Sequence, residues 1–132
     1  MLIDTDVFVI SERVGRLPDF SGWREFGGAF ISSITVSELL FGVHRASTRK
    51  RQLDRGAFVE AIVAAIPALA FSTESARVHA RMLADMPANV TVGAHDALIV
   101  AQAIEHGHAV LTRNVRDFSR LPGVKVVPFK ME

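Results

Sequence analysis

Acidic residues adjoin stretches of this chain that should be packed in a core. Asp4 follows Leu2 and Ile3, Glu38 precedes an apolar run, and Asp96 opens the most apolar stretch of the chain. A buried carboxylate is costly unless it is paired or bound to a metal ion, and no Lys or Arg lies near Asp4 or Asp96 in the sequence. Converging carboxylates repel one another unless a cation neutralises them. With Asp117 as a fourth member, these acids indicate a site for a divalent cation.

The chemistry of such a site follows from its ligands. Hard carboxylate oxygens select Mg²⁺ or Mn²⁺ over softer metals. Mg²⁺ keeps several of its waters and binds a few carboxylates together with phosphate groups of a substrate. That arrangement suits phosphodiester hydrolysis, in which the ion orients the scissile phosphate, activates a water and stabilises charge on the leaving oxygen. One ion and two ions are both compatible with this set of acids.

Each acid also has a purely structural interpretation at the start of a helix. Asp4 could cap a helix. Thr35 and Glu38 have the spacing of a capping box, in which the glutamate reaches back to a free backbone N–H. Asp96 lies in a first helical turn, where the helix dipole favours a negative charge. Asp117 has the same possible use in a short helix. For a single acid the structural interpretation is as good as the chemical one, so the hypothesis depends on the set.

Short apolar runs alternate with helical periodicity along the chain. The runs predict strands at Met1–Ile3, Ala29–Ser32, Leu69–Phe71, Ala109–Leu111 and Val124–Val127. Helices are predicted after Asp4, from Thr35 through Val43, over Thr48–Ala65, from Ser72 or Thr73 to Pro87, and over Ala94–Glu105. This alternation indicates an α/β sandwich with a mostly parallel sheet.

In such folds, sites lie beyond the carboxyl ends of the strands. Asp4 directly follows the first predicted strand. Three polar residues directly follow the Ala109–Leu111 strand: Thr112, Asn114 and Asp117. The helix that begins at Ala94 is apolar on nearly every side and should be buried, with Gly107 as its C-cap. In the Thr48–Ala65 helix, the apolar stripe is expected to include Leu53, Ala57, Ile62 and Ile66.

The bulk composition sets limits on the class of protein. A chain of 132 residues with 49% hydrophobic and 22% charged residues suits a single domain, residues 1–132, with one core. The absence of cysteine excludes disulfides and thiolate zinc sites. The start lacks the pattern of a signal peptide. Apolar runs also fall short of the roughly 20 residues that span a bilayer. We therefore expect a cytoplasmic protein without a membrane segment.

The net charge of +1 hides two local basic clusters. The first contains Arg45, Arg49, Lys50, Arg51 and Arg55, and the second contains Arg113, Arg116 and Arg120. Basic clusters attract phosphate backbones and raise encounter rates with nucleic acids. A solvated helix face explains the same clusters equally well.

Four short segments, in this order, match one family pattern. They are Leu2-Ile3-Asp4-Thr5-Asp6, Val36-Ser37-Glu38-Leu39 with Gly42, Asp96-Ala97-Leu98-Ile99 with Ala101, and Thr112-Arg113-Asn114-x-x-Asp117-Phe118. Through them the chain resembles, over almost its whole length, a PIN-domain nuclease of the VapC type, the toxin half of bacterial toxin–antitoxin pairs. Each segment is weak alone, whereas four in order at this chain length are specific.

The resemblance implies a three-layer α/β/α sandwich with a short, mostly parallel central sheet. It implies that a metal ion, Mg²⁺ or Mn²⁺, is surrounded by Asp4, Glu38, Asp96 and Asp117. Thr112 and Asn114 match polar positions that support these ligands or the substrate phosphate. Asp6 stands where such proteins often carry Asn or Ser, so it is either an outer-shell hydrogen-bond acceptor or only a cap of the first helix. We favour the cap.

The resemblance also implies partners and a biological role. It implies an endoribonuclease that arrests translation by cutting structured RNA of the tRNA or rRNA class, a cognate antitoxin protein that blocks the site, and a homodimer. The surplus apolar residues Val7–Ile10 would pack at a dimer interface, receive the antitoxin, or lie in the core. The alternative hypothesis is a non-catalytic nucleic-acid-binding or regulatory module. It keeps the basic clusters and treats every acid as a helix cap.

Overall fold

Five short parallel strands form the centre of the molecule. The computed structural model describes residues 1–131 and places the strands at β1 (Leu2–Ile3), β2 (Ile31–Ser32), β3 (Ala68–Leu69), β4 (Val110–Thr112) and β5 (Val126–Pro128). Parallel pairing joins β1 to β4, β4 to β5 and β2 to β3. A parallel bridge between Leu2 and Phe30 connects the two groups. The strands therefore lie in the order β3-β2-β1-β4-β5.

Helices connect these strands and cover both faces of the sheet. They are α1 (Thr5–Val14), α2 (Ser33–His44), α3 (Arg49–Ala65), α4 (Thr73–Asp85), α5 (Ala94–His106) and α6 (Val115–Phe118), with a 3₁₀ helix at Ser21–Phe26. Local chemistry sets several of their ends. The Thr48 side chain caps α3, and Ser72 and Ser75 form a capping box at α4. Gly107 ends α5 in a left-handed conformation that favours glycine.

The core lies in two clusters, because successive residues of a strand point to opposite faces of the sheet. Ile3 of β1 and Leu111 of β4 pack with Val7 and Phe8 of α1 on one face. Leu2 and Val110 pack on the other face against α4 and α5. The predicted three-layer α/β/α sandwich with a parallel central sheet is confirmed. Within residues 1–131, no helix has the length and apolar character needed to cross a membrane.

Two sequence predictions about packing differ from the structure. The strands are shorter than predicted or shifted by one or two residues. In α3, Leu53 is 59% exposed, and Ala57 is exposed as well, so the predicted stripe is wrong in the first half of that helix. The reason is that α3 packs on α2 there, where Gly56 approaches Val43, and is buried in the core only further along, at Val59 and Ile62.

Candidate functional site

Asp4 and Thr112 meet at the carboxyl end of two neighbouring strands. Asp4 follows β1 and is only 4% exposed, and Thr112 ends β4 with no exposed surface. The Thr112 hydroxyl donates to Asp4 Oδ2 at 2.8 Å and accepts from the backbone N–H of Asn114 at 2.9 Å. Asp4 occupies the N-cap position of α1, yet its side chain makes no capping hydrogen bond. The buried carboxylate is therefore held by β4 and not used as a cap.

The environment of Asp4 disfavours its negative charge. Burial, as the largest cause, and the nearby carboxylate of Asp6 together raise the pKa of Asp4 to about 8, although the hydrogen bond from Thr112 opposes the shift. The negative charge of Asp96 acts in the same direction as that of Asp6. Without a cation, this buried acid is thus driven towards its protonated form.

Asp96 approaches the same point from the first turn of α5. It is half-buried, and burial raises its pKa first, followed by the negative charges of Glu38, Asp6 and Asp117. The structure thus brings together all four acids predicted for the site. Asp6, which was predicted as a helix cap, belongs to the same acidic cluster.

Glu38 is held by a threonine on a different helix. Thr5 Oγ1 lies 2.8 Å from Glu38 Oε1, to which it can donate, and 3.0 Å from Thr35 Oγ1. The capping-box interpretation of Thr35 and Glu38 is wrong, because α2 begins two residues earlier than predicted. Its N-cap is Ser32, whose hydroxyl accepts from the N–H of Ile34 at 2.9 Å. Glu38 is therefore free to face the other acids.

Asp117 lies at the exposed rim of the cluster. Asn114 Nδ2 donates to Asp117 Oδ2 at 2.9 Å. Asn114 is the N-cap residue of α6, yet its side chain makes no capping hydrogen bond there. This asparagine therefore orients the most exposed of the four acids instead of capping the short helix.

Three further side chains belong to the site. Thr5 orients Glu38, and His95 Nδ1 lies 3.4 Å from Glu38 Oε2 with 61% of its side chain exposed. The backbone N–H of Arg113 donates to Asp6 Oδ1 at 3.4 Å. The prediction that Asp6 caps the first helix is wrong, because Asp4 holds the N-cap position. For Asp6, its position two residues after Asp4 was the sequence feature that could have predicted a place in the site. For Thr5 and His95, the sequence offered only their adjacency to a candidate acid.

The donor set fits Mg²⁺ or Mn²⁺. Its members are carboxylates, which supply the hard oxygen ligands that these ions prefer. Two of them, Asp4 and Asp96, have raised pKa values that a cation would lower again. Within residues 1–131, no three His, Asp or Glu side chains already lie close enough to form a closed metal-binding group.

The two basic clusters differ in the pairing of their charges and in their position relative to the acidic cluster. In the first, Lys50 pairs with Asp54 at 2.9 Å, and Arg55 pairs with Glu12 at 2.9 Å. In the second, the side chains of Arg113 and Arg116 are exposed beside the acidic rim. The second cluster is thus the one that lies directly next to the candidate site.

Comparison with known proteins finds relatives of one family. The PIN domain family model matches residues 1–124. Ribonuclease VapC1 of Rickettsia felis is 37% identical over 128 residues, 96% of this chain and 94% of that protein. The tRNA(fMet)-specific endonuclease VapC of Salmonella typhimurium is 33% identical over 97 residues, 73% of this chain and 71% of that protein. The crystal structure of DNA-bound VapBC from Salmonella typhimurium superimposes with a TM-score of 0.82 at 27% identity, covering 96% of each chain.

Proposed function

This chain belongs to the PIN-domain family and to its VapC ribonucleases, and from that premise we propose that it hydrolyses RNA as the toxin of a toxin–antitoxin pair. The observation that carries the proposal is the meeting of four carboxylates at the carboxyl edge of the sheet. In two of them, Asp4 and Asp96, burial and the negative charges of nearby carboxylates disfavour the anionic form. Such strongly perturbed groups cluster at functional sites.

The ligands that we propose for Mg²⁺ or Mn²⁺ are Asp4, Glu38, Asp96 and Asp117. When bound, the ion supplies Lewis-acid stabilisation of the phosphate and a water of lowered pKa. The chain's own contribution is to hold these carboxylates in place before substrate arrives. Hydrogen bonds do this for three of the four, because Thr112 binds Asp4, Thr5 binds Glu38 and Asn114 binds Asp117. Hydrogen bonds to ligating carboxylates fix their orientation and raise metal affinity.

The exposed arginines give the RNA backbone a place to bind. Arg113 and Arg116 are exposed on the β4–α6 segment that also carries Asp117. Arg45, Arg49, Lys50 and Arg51 form a second exposed basic surface on α2 and α3. Contacts of this kind position a phosphate backbone without reading bases. We propose structured RNA of the tRNA or rRNA class as substrate, since one relative is named as a tRNA endonuclease.

We further propose that a cognate antitoxin protein and a second copy of this chain are its partners. Support for the antitoxin comes from solved relatives that are VapBC toxin–antitoxin complexes. The Val7–Ile10 segment of α1, for which a partner surface and the core were both left open, divides its residues between two environments. Val7 and Phe8 are fully buried in the core, whereas Val9 is 37% exposed. Only the exposed side of α1 is therefore available to a partner.

The decisive experiment incubates the purified chain, freed of any partner, with total RNA. Cleavage is expected with Mg²⁺ or Mn²⁺ and is expected to stop on chelation. Asp96→Asn should lower the cleavage rate about a hundredfold or more, because it removes a proposed ligand. Asp85→Asn is the matched control, since Asp85 lies exposed at the end of α4, outside the acidic cluster.

Two results would contradict the proposal in different ways. Cleavage that survives both chelation and Asp96→Asn would overturn the metal mechanism while leaving the nuclease. RNA retention without any cleavage, unchanged by metal and by Asp4→Asn, would favour the non-catalytic binding module instead.

A further inference from the structure

Gln102 is a polar side chain with no exposed surface in a helix that otherwise buries apolar residues. Its buried neighbours along α5 include Val100, Ala101 and Ala103. A buried carboxamide is costly unless its donor and acceptor are both satisfied. Its partners therefore show what the helix gains from keeping a glutamine here.

The carboxamide of Gln102 joins the ends of two strands. Its Nε2 donates to the backbone carbonyl of Leu69 at 3.0 Å, and its Oε1 accepts from the hydroxyl of Ser32. Ser32 and Leu69 are the last residues of β2 and β3 and are paired in register. A carbonyl can only accept, so the amide nitrogen must face Leu69, which leaves Oε1 for the Ser32 hydroxyl. The orientation of the side chain is thus fixed by chemistry.

The same serine begins the helix that carries Glu38. Ser32 is the N-cap of α2, and its oxygen accepts from the N–H of Ile34 at 2.9 Å while its hydrogen is donated to Gln102. Directed hydrogen bonds therefore run from the first turn of α2, through Ser32 and Gln102, to the carbonyl that ends β3. All of these groups lie at the carboxyl edge of the sheet.

These bonds connect two of the helices that supply acids to the site. Asp96 lies in the first turn of α5, Glu38 lies in α2, and the negative charge of Glu38 raises the pKa of Asp96. Apolar contacts around α5 are non-directional, and a helix displaced by one residue moves by about 1.5 Å. A metal site needs its ligands held to about 0.5 Å. Directional hydrogen bonds therefore hold the position of α5 more precisely than its apolar packing does.

We propose that Gln102 is a positioning residue for the acidic site. It fixes α5 against the first turn of α2 and so sets the separation between the carboxylates of Asp96 and Glu38. The inference rests on the proposed function, because it concerns the same metal-binding acids. It adds a residue that touches neither the metal nor the substrate and that acts only through Ser32 and Leu69.

The test replaces Gln102 by Met, which keeps the shape of the side chain and removes both hydrogen bonds. Mn²⁺ affinity, measured by calorimetric titration, is expected to fall about ten- to hundredfold, the range seen when outer-shell partners of ligands are removed. In RNA cleavage at a fixed metal concentration, kcat should fall more than KM rises. Amide exchange at Ile34 should become faster in the metal-free protein, since Ser32 loses its acceptor.

Val100→Ala is the matched control, because Val100 is buried in the same helix and makes no directional contact. It should lower the melting temperature while leaving Mn²⁺ affinity within about twofold. If Gln102 had only a structural role, Gln102→Met would show this same pattern. Ser32→Ala breaks the same connection and serves if Gln102→Met does not fold. Because both substitutions break the same connection, the double variant Gln102→Met/Ser32→Ala should bind Mn²⁺ as tightly as the weaker-binding single variant.

The outcomes separate this inference from the proposed function. If wild-type protein does not bind Mn²⁺, the proposed metal mechanism and the positioning role both fail. If the wild type binds and cleaves normally while a folded Gln102→Met or Ser32→Ala variant binds Mn²⁺ within about twofold of it, the positioning role alone is overturned.

Discussion

The two ends of the central sheet each bury a charged group, but the neighbours of these two groups have opposite effects on the charge. At the amino end, the Met1 ammonium donates to the backbone carbonyls of Gly28 at 2.7 Å and Phe26 at 3.2 Å. At the carboxyl end, the Asp4 carboxylate accepts a hydrogen bond from Thr112 and faces the like charge of Asp6. Both charges lie next to the same two-residue strand.

The difference shows which end of the sheet is built for stability. Burial lowers the pKa of the Met1 ammonium, so desolvation disfavours that charge too, but its neighbours are neutral carbonyls that bind it. At Asp4, neighbouring carboxylates add to the effect of burial. A fold keeps such an imbalance where function requires it and satisfies its polar groups elsewhere.

Asp4→Asn should stabilise the metal-free protein at high pH, since it removes the unbalanced charge. The pKa of Asp4 is about 8 in the folded chain and near 3.8 without its surroundings. Between these values the folded state binds the extra proton, so stability of the wild type should fall as pH rises from 4 to 8. At pH 9 we expect the variant to be more stable by about 2–4 kcal/mol, measured by urea unfolding in a chelator.

The same unfolding series contains its own checks. At about pH 4 the two proteins should be nearly equal in stability, because the wild-type carboxyl is then largely protonated. Mn²⁺ should stabilise the wild type at neutral pH by mass action and should stabilise Asp4→Asn much less. A wild-type stability that rises steadily from pH 4 to 8 would contradict the unbalanced charge at Asp4.

Thr112→Val tests the hydrogen bond that opposes the raised pKa of Asp4. Valine keeps the shape of threonine but cannot donate to Asp4 Oδ2 or accept from the N–H of Asn114. We expect RNA cleavage to fall about tenfold or more, as for other outer-shell partners. Thr112→Ser keeps the hydroxyl and should retain most of the activity. Equal rates for the valine and serine variants would show that the hydroxyl has no role.

Lys125→Met changes the opposite, amino end of the sheet. The Lys125 ammonium lies over the ring of Phe26, 4.7 Å from its centre, on an exposed side chain. Losing such an exposed cation–π contact should cost about 0.5–1 kcal/mol of stability. RNA cleavage should stay unchanged in the same preparation. A loss of cleavage similar to that of Thr112→Val would show that the two ends are not independent.

Much of the architecture could be predicted from local patterns. Apolar runs located all five strands, and caps such as Ser72 and Gly107 located helix ends. Bounds were harder, because pairing with neighbouring strands decides where a short strand ends. The burial of Leu53 was predicted wrongly for a related reason: periodicity shows that a helix has an apolar face but not how far along that face the core extends.

The sequence by itself determined which acids are available, because Asp4, Glu38, Asp96 and Asp117 each adjoin a recognisable apolar run or helix start. Only the tertiary structure decided what each side chain does. Glu38 does not act in a capping box, since α2 begins at Ser33 and Thr5 of another helix binds the glutamate. Asp6 lies two residues from Asp4 in the sequence, but its links to the carboxyl of Asp96 and the N–H of Arg113 join groups that are remote in sequence.

Gln102 shows the same limit most clearly. In the sequence it is one polar residue near the end of an apolar run, with nothing to mark it as important. Its partners, Ser32 and Leu69, are 70 and 33 residues away. Local sequence fixes the propensity and periodicity of each segment, whereas hydrogen-bond partners and electrostatic neighbours depend on where distant segments are placed by packing. The unbalanced charge of the buried Asp4 is therefore a property of the folded chain.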